Sequence, residues 1–214
     1  MSGLQMAPSV RHAVHGGDWL SNGVLDPLVE INRQCIDLLC GMAERASRTV
    51  PLLGELAALW RRLPDEARMR LARCPFLLVD AGFGDALRWR GLQLGAVRDV
   101  SLPQRSGYFD AARSAHLERR ILTYGWHLAR AQPSVARIAL GMSPECVQCI
   151  ATLSLRDIDA LCERQPGWVR PRWESQGLVW RQLLTAAITG EGAAMQQATL
   201  RGIQLLGAGL LQPT

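Results

Sequence analysis

The fold is decided by one segment in the second half of the chain, which is dense in turn and cap signals. The segment is Ser134-Val135-Ala136-Arg137-Ile138-Ala139-Leu140-Gly141-Met142-Ser143-Pro144-Glu145-Cys146-Val147-Gln148-Cys149-Ile150. Gly141 lies where a left-handed helix cap is expected, and Ser143 followed by Pro144 is typical of a capped helix start. The segment therefore predicts a short helix, a glycine turn and a second helix, which are the local requirements of a helix-turn-helix.

Helical periodicity extends outward from this segment in both directions. Apolar residues recur at steps of three and four, and capping residues or prolines precede most of the runs. Further helices are predicted at about 26–47 starting at Asp26-Pro27, after Pro51, from Asp65 to Arg73, at 110–131, from Ser154, at 175–188 and at 192–211. No stretch alternates apolar and polar residues for long enough to predict a strand. We expect an all-α fold, a multi-helix orthogonal bundle with a helix-turn-helix-like corner in its second half.

Glycines, a proline and scattered arginines between Gly82 and Gly107 predict irregular structure and a boundary between two halves. We expect a mobile leader over residues 1–24, an N-terminal helical module over 25–107 and a C-terminal helical module over 108–214. The apolar segment 74–79 is too short for its periodicity to decide between a buried loop, a strand and a helix start.

Composition limits the class of protein. The chain has 214 residues, of which 48% are hydrophobic and 20% charged, so wholesale disorder is not expected. Its 24 basic residues are all arginine and its acidic residues number 19, which gives a net charge of +5. The surplus is spread evenly over both halves. Such a balance permits contact with nucleic acid without requiring it.

Cysteine content and hydropathy indicate the cellular compartment of the protein. Six cysteines are too few for a disulfide-stapled secreted scaffold, and residues 1–24 contain no apolar run of the kind found in signal peptides. The longest weakly charged stretch, 192–214, is interrupted by Arg201, Gln196, Gln197 and Gln204. We expect a cytoplasmic protein without a membrane span or a membrane partner.

No motif indicates catalysis or a bound cofactor. Cys146 and Cys149 have the spacing of half a zinc site, but a structural zinc site usually needs two such pairs, and cysteine is also a common small core residue. Neither a Gly-x-Ser-x-Gly elbow nor a His-Glu-x-x-His motif occurs. We therefore expect no metal, no cofactor and no enzymatic activity.

Arginine and tryptophan supply the candidate contacts with DNA or a partner protein. One face of the predicted helix 110–131 is basic, whereas the exposed positions of the second corner helix include Gln148 but no arginine, which makes insertion into DNA doubtful. Arginine and tryptophan alternate around Pro171, a pattern that can stack on bases or on a partner, or can close the helical core. The predicted contact residues are Arg113, Arg119, Arg120, Arg130, Gln148, Arg170, Arg172 and Trp173.

Residues 117–173 resemble the FlhD-like family of flagellar transcriptional activators. The resemblance is carried by Ala139-Leu140-Gly141-Met142-Ser143, Ala151-Thr152-Leu153-Ser154-Leu155, Leu161-Cys162-Glu163 and Val169-Arg170-Pro171-Arg172-Trp173. It implies an all-α dimer that activates transcription together with a zinc-binding partner protein, to which this chain adds a helix-turn-helix surface. The chain is much longer than is usual in that family, and residues 25–100 have no counterpart in it.

These features predict a transcription regulator subunit that acts through protein–protein assembly, with contact to the DNA backbone as a second mode. A second copy of the chain, a second regulatory subunit and DNA are the expected partners. The alternative is a helical adaptor or secretion-associated interaction protein that does not bind DNA. The regulator interpretation requires the helix pair joined at Gly141 to be presented at the surface.

Overall fold

The computed structural model describes residues 22–45, 50–93, 107–109, 111–164 and 167–211. Within this part of the chain, helices account for most residues and two short strands pair with each other. The expected all-α, multi-helix class is therefore confirmed. The elements are α1 (Asn22–Arg45), α2 (Pro51–Glu55), α3 (Ala57–Arg61), α4 (Asp65–Ala72), β1 (Val79–Asp80), α5 (Ala86–Gln93), α6 (Ala111–Ala131), α7 (Pro133–Leu140), α8 (Pro144–Ala151), α9 (Leu155–Arg164), β2 (Arg170–Pro171), α10 (Gly177–Thr189) and α11 (Gly192–Leu211).

Helix α1 packs against α2, α3, α4 and α6 through an apolar stripe that includes Leu28, Ile31 and Cys35. It begins at Asn22, so Pro27 lies inside the helix and not at its first position as predicted. A proline this close to the start removes only one main-chain hydrogen bond, and its fixed φ is itself helical. The helix can therefore extend ahead of it.

The segment 74–79, whose conformation the sequence left open, is a buried loop that leads into β1. The fully buried side chain of Asn32 on α1 holds it in place. Asn32 Nδ2 donates to the carbonyls of Ala72 at 3.2 Å and Phe76 at 2.9 Å, and its Oδ1 accepts from the N–H of Leu78 at 2.9 Å. These bonds satisfy main-chain groups that the loop would otherwise bury without partners.

The two strands connect distant parts of the chain. β1 and β2 are antiparallel, with Val79 opposite Pro171 and Asp80 opposite Arg170. The prediction of no strand is wrong here, because a two-residue strand is too short to show an alternating pattern. Proline fits this position because, among the described residues, each strand pairs with one other strand, so the missing N–H interrupts no central ladder.

Helix α5 lies in the stretch that was predicted to be irregular. Trp89 anchors it: the indole is buried, lies 5.8 Å from the ring of Phe83 between centroids, and donates from Nε1 to the carbonyl of Gly82 at 2.8 Å. The prediction of irregular structure is wrong for these residues, because the burial of Trp89 outweighs the weak local helical signal of the sequence.

One hydrophobic core includes side chains from both predicted modules. Trp60 and Trp180, for example, are both buried, and their ring centroids are 5.4 Å apart. Residues 1–21 of the predicted leader and residues 94–106 at the predicted boundary lie outside the described residues.

The predicted helix-turn-helix geometry forms locally. Gly141 has φ 66° and ψ 35° and ends α7 in the left-handed region, and Ser143 Oγ accepts from the N–H of Cys146 at 3.1 Å to cap α8. The turn, however, is buried. A Cβ atom built on Gly141 would lie 3.0 Å from Arg172 Nη1 and 3.1 Å from Leu206 Cδ2. The expectation that this turn is presented at the surface is therefore wrong, because Arg172 and α11 cover it.

The covered turn makes G141A costly for two separable reasons. An alanine there must adopt a positive φ, which costs about 1–2 kcal/mol, and its Cβ must displace Arg172 or Leu206. Gly107 is the matched control, because it has the same φ of 66° but no atom of the described residues lies within 4 Å of a Cβ built there. We expect G141A to lower the free energy of unfolding by at least about 1 kcal/mol more than G107A in urea titrations. Equal losses would show that the turn is not tightly covered.

Candidate interaction surfaces

The four predicted arginines of α6 lie on or beside its exposed face, but two of them are engaged by acids of neighbouring helices. Arg119 Nε lies 3.4 Å from Asp159 on α9, and Arg120 Nη2 lies 2.6 Å from Glu30 on α1. The Arg130 guanidinium lies 4.9 Å from the centroid of the Trp126 ring, a cation–π contact. Arg113 is exposed near the start of the helix.

Two histidines also lie on this face. His116 and His127 are exposed on the same side of α6 as the arginines. The single acid of this helix, Glu118, is buried, so it does not offset the charge of the face. The face is therefore positive along its length, although Glu30 and Asp159 border it from the adjacent helices.

Arg172 is a core residue, and its predicted role in contacting DNA or a partner is wrong. Its Nε donates to the carbonyl of Leu77 at 2.9 Å and its Nη2 to the carbonyl of Leu140 at 3.0 Å. Its main-chain N–H donates to the carbonyl of Leu78 at 2.9 Å. Burial lowers the pKa of the Arg172 guanidinium, and the charge of Asp80 offsets part of this effect. The guanidinium thus joins the 74–79 loop to the end of α7.

Arg170 and Trp173 stand on either side of Arg172 and are half-buried. Arg170 Nη1 forms an ion pair with Glu174 at 2.9 Å. The Trp173 ring meets Phe76 edge-on, with centroids 5.6 Å apart, and Trp173 has an unusual positive φ of 54°. A Cβ on Gly202 of α11 would lie 3.1 Å from the Trp173 ring. The Arg-Trp segment therefore packs against α11 and the loop instead of standing free for stacking on bases.

Glu118 fastens the connection that leads into β2. Its Oε1 accepts from the N–H of Gly167 at 2.8 Å, although the residue is fully buried. Burial raises the pKa of Glu118, while hydrogen bonds from Gly167, Ser114 and the main chain of Val169 and Trp168 oppose that rise. A buried carboxylate of this kind is a positioning group for the loop.

Gln148 is exposed on α8, as predicted, at the edge of a shallow cavity of about 370 Å³. The cavity is lined by Arg90, Glu145, Gln148, Cys149 and Thr152. Arg90 was not among the predicted contact residues, because the helix that brings it to α8 lies in the stretch predicted to be irregular.

The Cys146 and Cys149 pair lies on one turn of α8. Burial raises the pKa of the Cys146 thiol to about 11, which keeps the thiol neutral and suits a core side chain. Across the described ranges, no group of three or more His, Cys, Asp or Glu side chains is arranged to hold a metal ion.

A groove of about 770 Å³ lies between α10 and α11, and it was not predicted from the sequence. Both helices were expected, but the lining depends on how they are rotated against each other. Arg181 and Arg201 face it from opposite helices, and Glu191 is the one acid of the lining. The lining consists of Arg181, Gln182, Thr185, Ala186, Thr189, Glu191, Ala194, Gln197, Ala198, Leu200, Arg201 and Gln204.

The described fold is all-α, and the two cavities named above lie between helices, one beside α5 and α8 and the other between α10 and α11. Comparison with models of known families, with curated proteins and with solved structures finds no match to this chain. In the part of the chain that the structure describes, no helix combines the length and the apolar character needed to cross a bilayer.

Arg170 and Arg172 provide a direct test of surface against core roles. R172M leaves the carbonyls of Leu77 and Leu140 without their donor, and each buried unsatisfied group costs about 1–3 kcal/mol. R170M removes only a half-exposed ion pair, worth about 1 kcal/mol or less. We expect R172M to lower the unfolding free energy by about 2–4 kcal/mol and R170M by much less, measured by urea unfolding. Similar losses in both variants would contradict the core assignment of Arg172.

The raised pKa of Glu118 makes the stability of the protein depend on pH. Because this pKa is higher in the folded state than in the unfolded state, the contribution of Glu118 to the free energy of unfolding is full below the ordinary pKa of 4.5. The contribution is lost as the pH rises through the raised pKa. E118Q has no titrating group at this position. The difference in unfolding free energy between the two proteins should therefore shift in favour of E118Q as the pH is raised from about 4 to about 7. A difference that stays constant with pH would contradict the raised pKa.

Proposed function

We propose that this chain is a helical protein-interaction module, and that any regulatory role it has is exercised through protein assembly. The observation that carries the proposal is the open groove between α10 and α11. It exposes apolar and polar side chains together, as protein-binding grooves do. The resemblance of residues 117–173 to a family of transcriptional activators supports a regulatory setting, since that resemblance implies action with a second protein.

Base readout by the α7–α8 corner is disfavoured by its packing. A recognition helix needs an accessible first turn and cations beside it that hold the DNA phosphates. Here the turn at Gly141 is covered by Arg172 and Leu206. The exposed side chains at the start of α8 include Glu145 and Gln148, an acid and an amide. The α7–α8 corner is therefore better suited to packing within the protein than to insertion into a DNA groove.

Contact with the DNA backbone through α6 is the second candidate function, and the absence of exposed acids on that helix favours it. Arg113, His116 and Arg130 are available on the exposed face. Phosphates would have to compete with Asp159 for Arg119 and with Glu30 for Arg120, which reduces the gain from each contact. This mode would add non-specific affinity to an assembled complex.

Site-specific photo-cross-linking in the native cells separates the two candidates. A benzoylphenylalanine at Gln197 lies in the groove, whereas one at Thr123 lies on the exposed face of α6. We expect discrete protein adducts from position 197 and none from position 123, because the groove is the proposed contact surface.

DNA affinity measured against salt concentration completes this test. A protein-interaction module should show weak affinity for duplex DNA, without the steep salt dependence that several phosphate contacts produce. Adducts confined to position 123, or a steep fall of DNA affinity with salt, would favour the α6 candidate and contradict the proposal.

A further inference from the structure

We propose that the groove between α10 and α11 binds an acidic amphipathic helix of a partner protein, whose carboxylates pair with Arg181 and Arg201. This inference rests on the proposed protein-interaction function and names the chemistry of the partner. The volume of the groove falls within the range typical of ligand pockets, and the groove is open to solvent. It therefore suits a peptide helix lying along it better than a small molecule that needs an enclosed pocket.

The floor of the groove allows another helix to come close. Ala186 and Ala198 are buried, and Ala194 is half-buried, so three methyl groups form the base. Small residues let helix backbones approach, because ridges of the incoming helix enter the gaps they leave. Leu200 stands at the edge with 53% of its surface exposed, and offers an apolar contact to an incoming side chain. These features match the apolar side of an amphipathic helix.

The charges of the groove select an acidic partner. Among the described residues, no carboxylate lies within ion-pair distance of Arg181 or Arg201. Both arginines are exposed and lie at similar distances along the chain from the turn at Gly190. At 1.5 Å per residue, each of them stands roughly 15 Å along its helix from the end where Glu191 lies. The end of the groove away from the turn is therefore positive and open to carboxylates, which arginine binds well.

Amide side chains can fix the register of the partner. Gln182 on α10 and Gln197 and Gln204 on α11 also line the groove. Each amide can both donate and accept a hydrogen bond, so these residues can pair with polar side chains at the flank of a bound helix.

Two other occupants fit less well. A nucleic acid needs a run of cations along its phosphates, whereas this groove offers two arginines, one acid and an alanine floor. A second copy of the chain, joined by a two-fold axis through this face, would bring Arg181 and Arg201 of both copies into one interface with Glu191 as the sole acid of each lining. Charge repulsion would oppose that arrangement.

The test uses a fluorescent 16-residue synthetic peptide with leucine and alanine on one helical face and glutamate beside it. The full chain is titrated against it, and fluorescence anisotropy reports binding. We expect a Kd on the order of tens of micromolar for the unaltered chain. The same peptide with lysine in place of glutamate should bind at least tenfold more weakly, because its charge opposes the arginines.

Charge reversal identifies the site. R181E/R201E should weaken binding of the glutamate peptide at least tenfold and strengthen binding of the lysine peptide. R62E/R137E is the matched control, because it changes the net charge equally at two exposed arginines outside the groove. This control should bind the glutamate peptide as the unaltered chain does. Circular dichroism melting checks that both double variants remain folded, as expected for exposed positions.

Three results would overturn the inference: no binding of the glutamate peptide, equal weakening by both double variants, or a dimer detected by light scattering that R181E/R201E dissociates. The last result would make a second copy the occupant. If the peptide fails while a cross-linker at position 197 still yields a protein adduct, the interaction function stands and only the acidic-helix inference falls. If both fail, the proposed function falls as well.

Discussion

The buried residue Arg172 joins three separate parts of the described structure. Arg172 donates to carbonyls in the 74–79 loop and at the end of α7, while its own main chain continues the pairing between β1 and β2. Removing a cation from water is costly, and here oriented main-chain carbonyls replace the solvent. Because loop, corner and strand share this group, none of them can shift without leaving a buried polar atom unpaired. The position of α11 follows, since Leu206 packs over the same turn.

The sequence signals of a helix-turn-helix predict only a local conformation, and in this protein that conformation packs inside the fold. Gly141 and Ser143 produce the same turn and cap whether the corner faces solvent or the core. What distinguishes the two cases is contributed by residues far away along the chain, chiefly Arg172 and Leu206. The functional interest therefore moves from the corner to the outer helix pair, where a groove remains open between α10 and α11.

The sequence predicted the helices well, because caps, prolines and apolar spacing are local signals. Two elements were not predicted. Helix α5 is stabilised by the burial of Trp89 against Phe83, and the strand pair joins two segments that lie in different halves of the sequence. Exposure was harder to predict. Arg170 and Arg172 have the same local context, yet one forms a surface ion pair and the other enters the core. The groove was beyond prediction, because its lining depends on the relative rotation of two helices.

The hydrogen bonds of Arg172 also bear on how such a chain could have evolved. The stretch 117–173 contains the cation, but one of its acceptors, Leu77, and the loop secured by Asn32 belong to the preceding part of the chain. A gene fragment that encoded this stretch alone would encode the Arg172 guanidinium without all of its hydrogen-bond acceptors. Recombination or duplication would therefore have to move both segments together, and substitutions in one segment would limit which substitutions the other can accept.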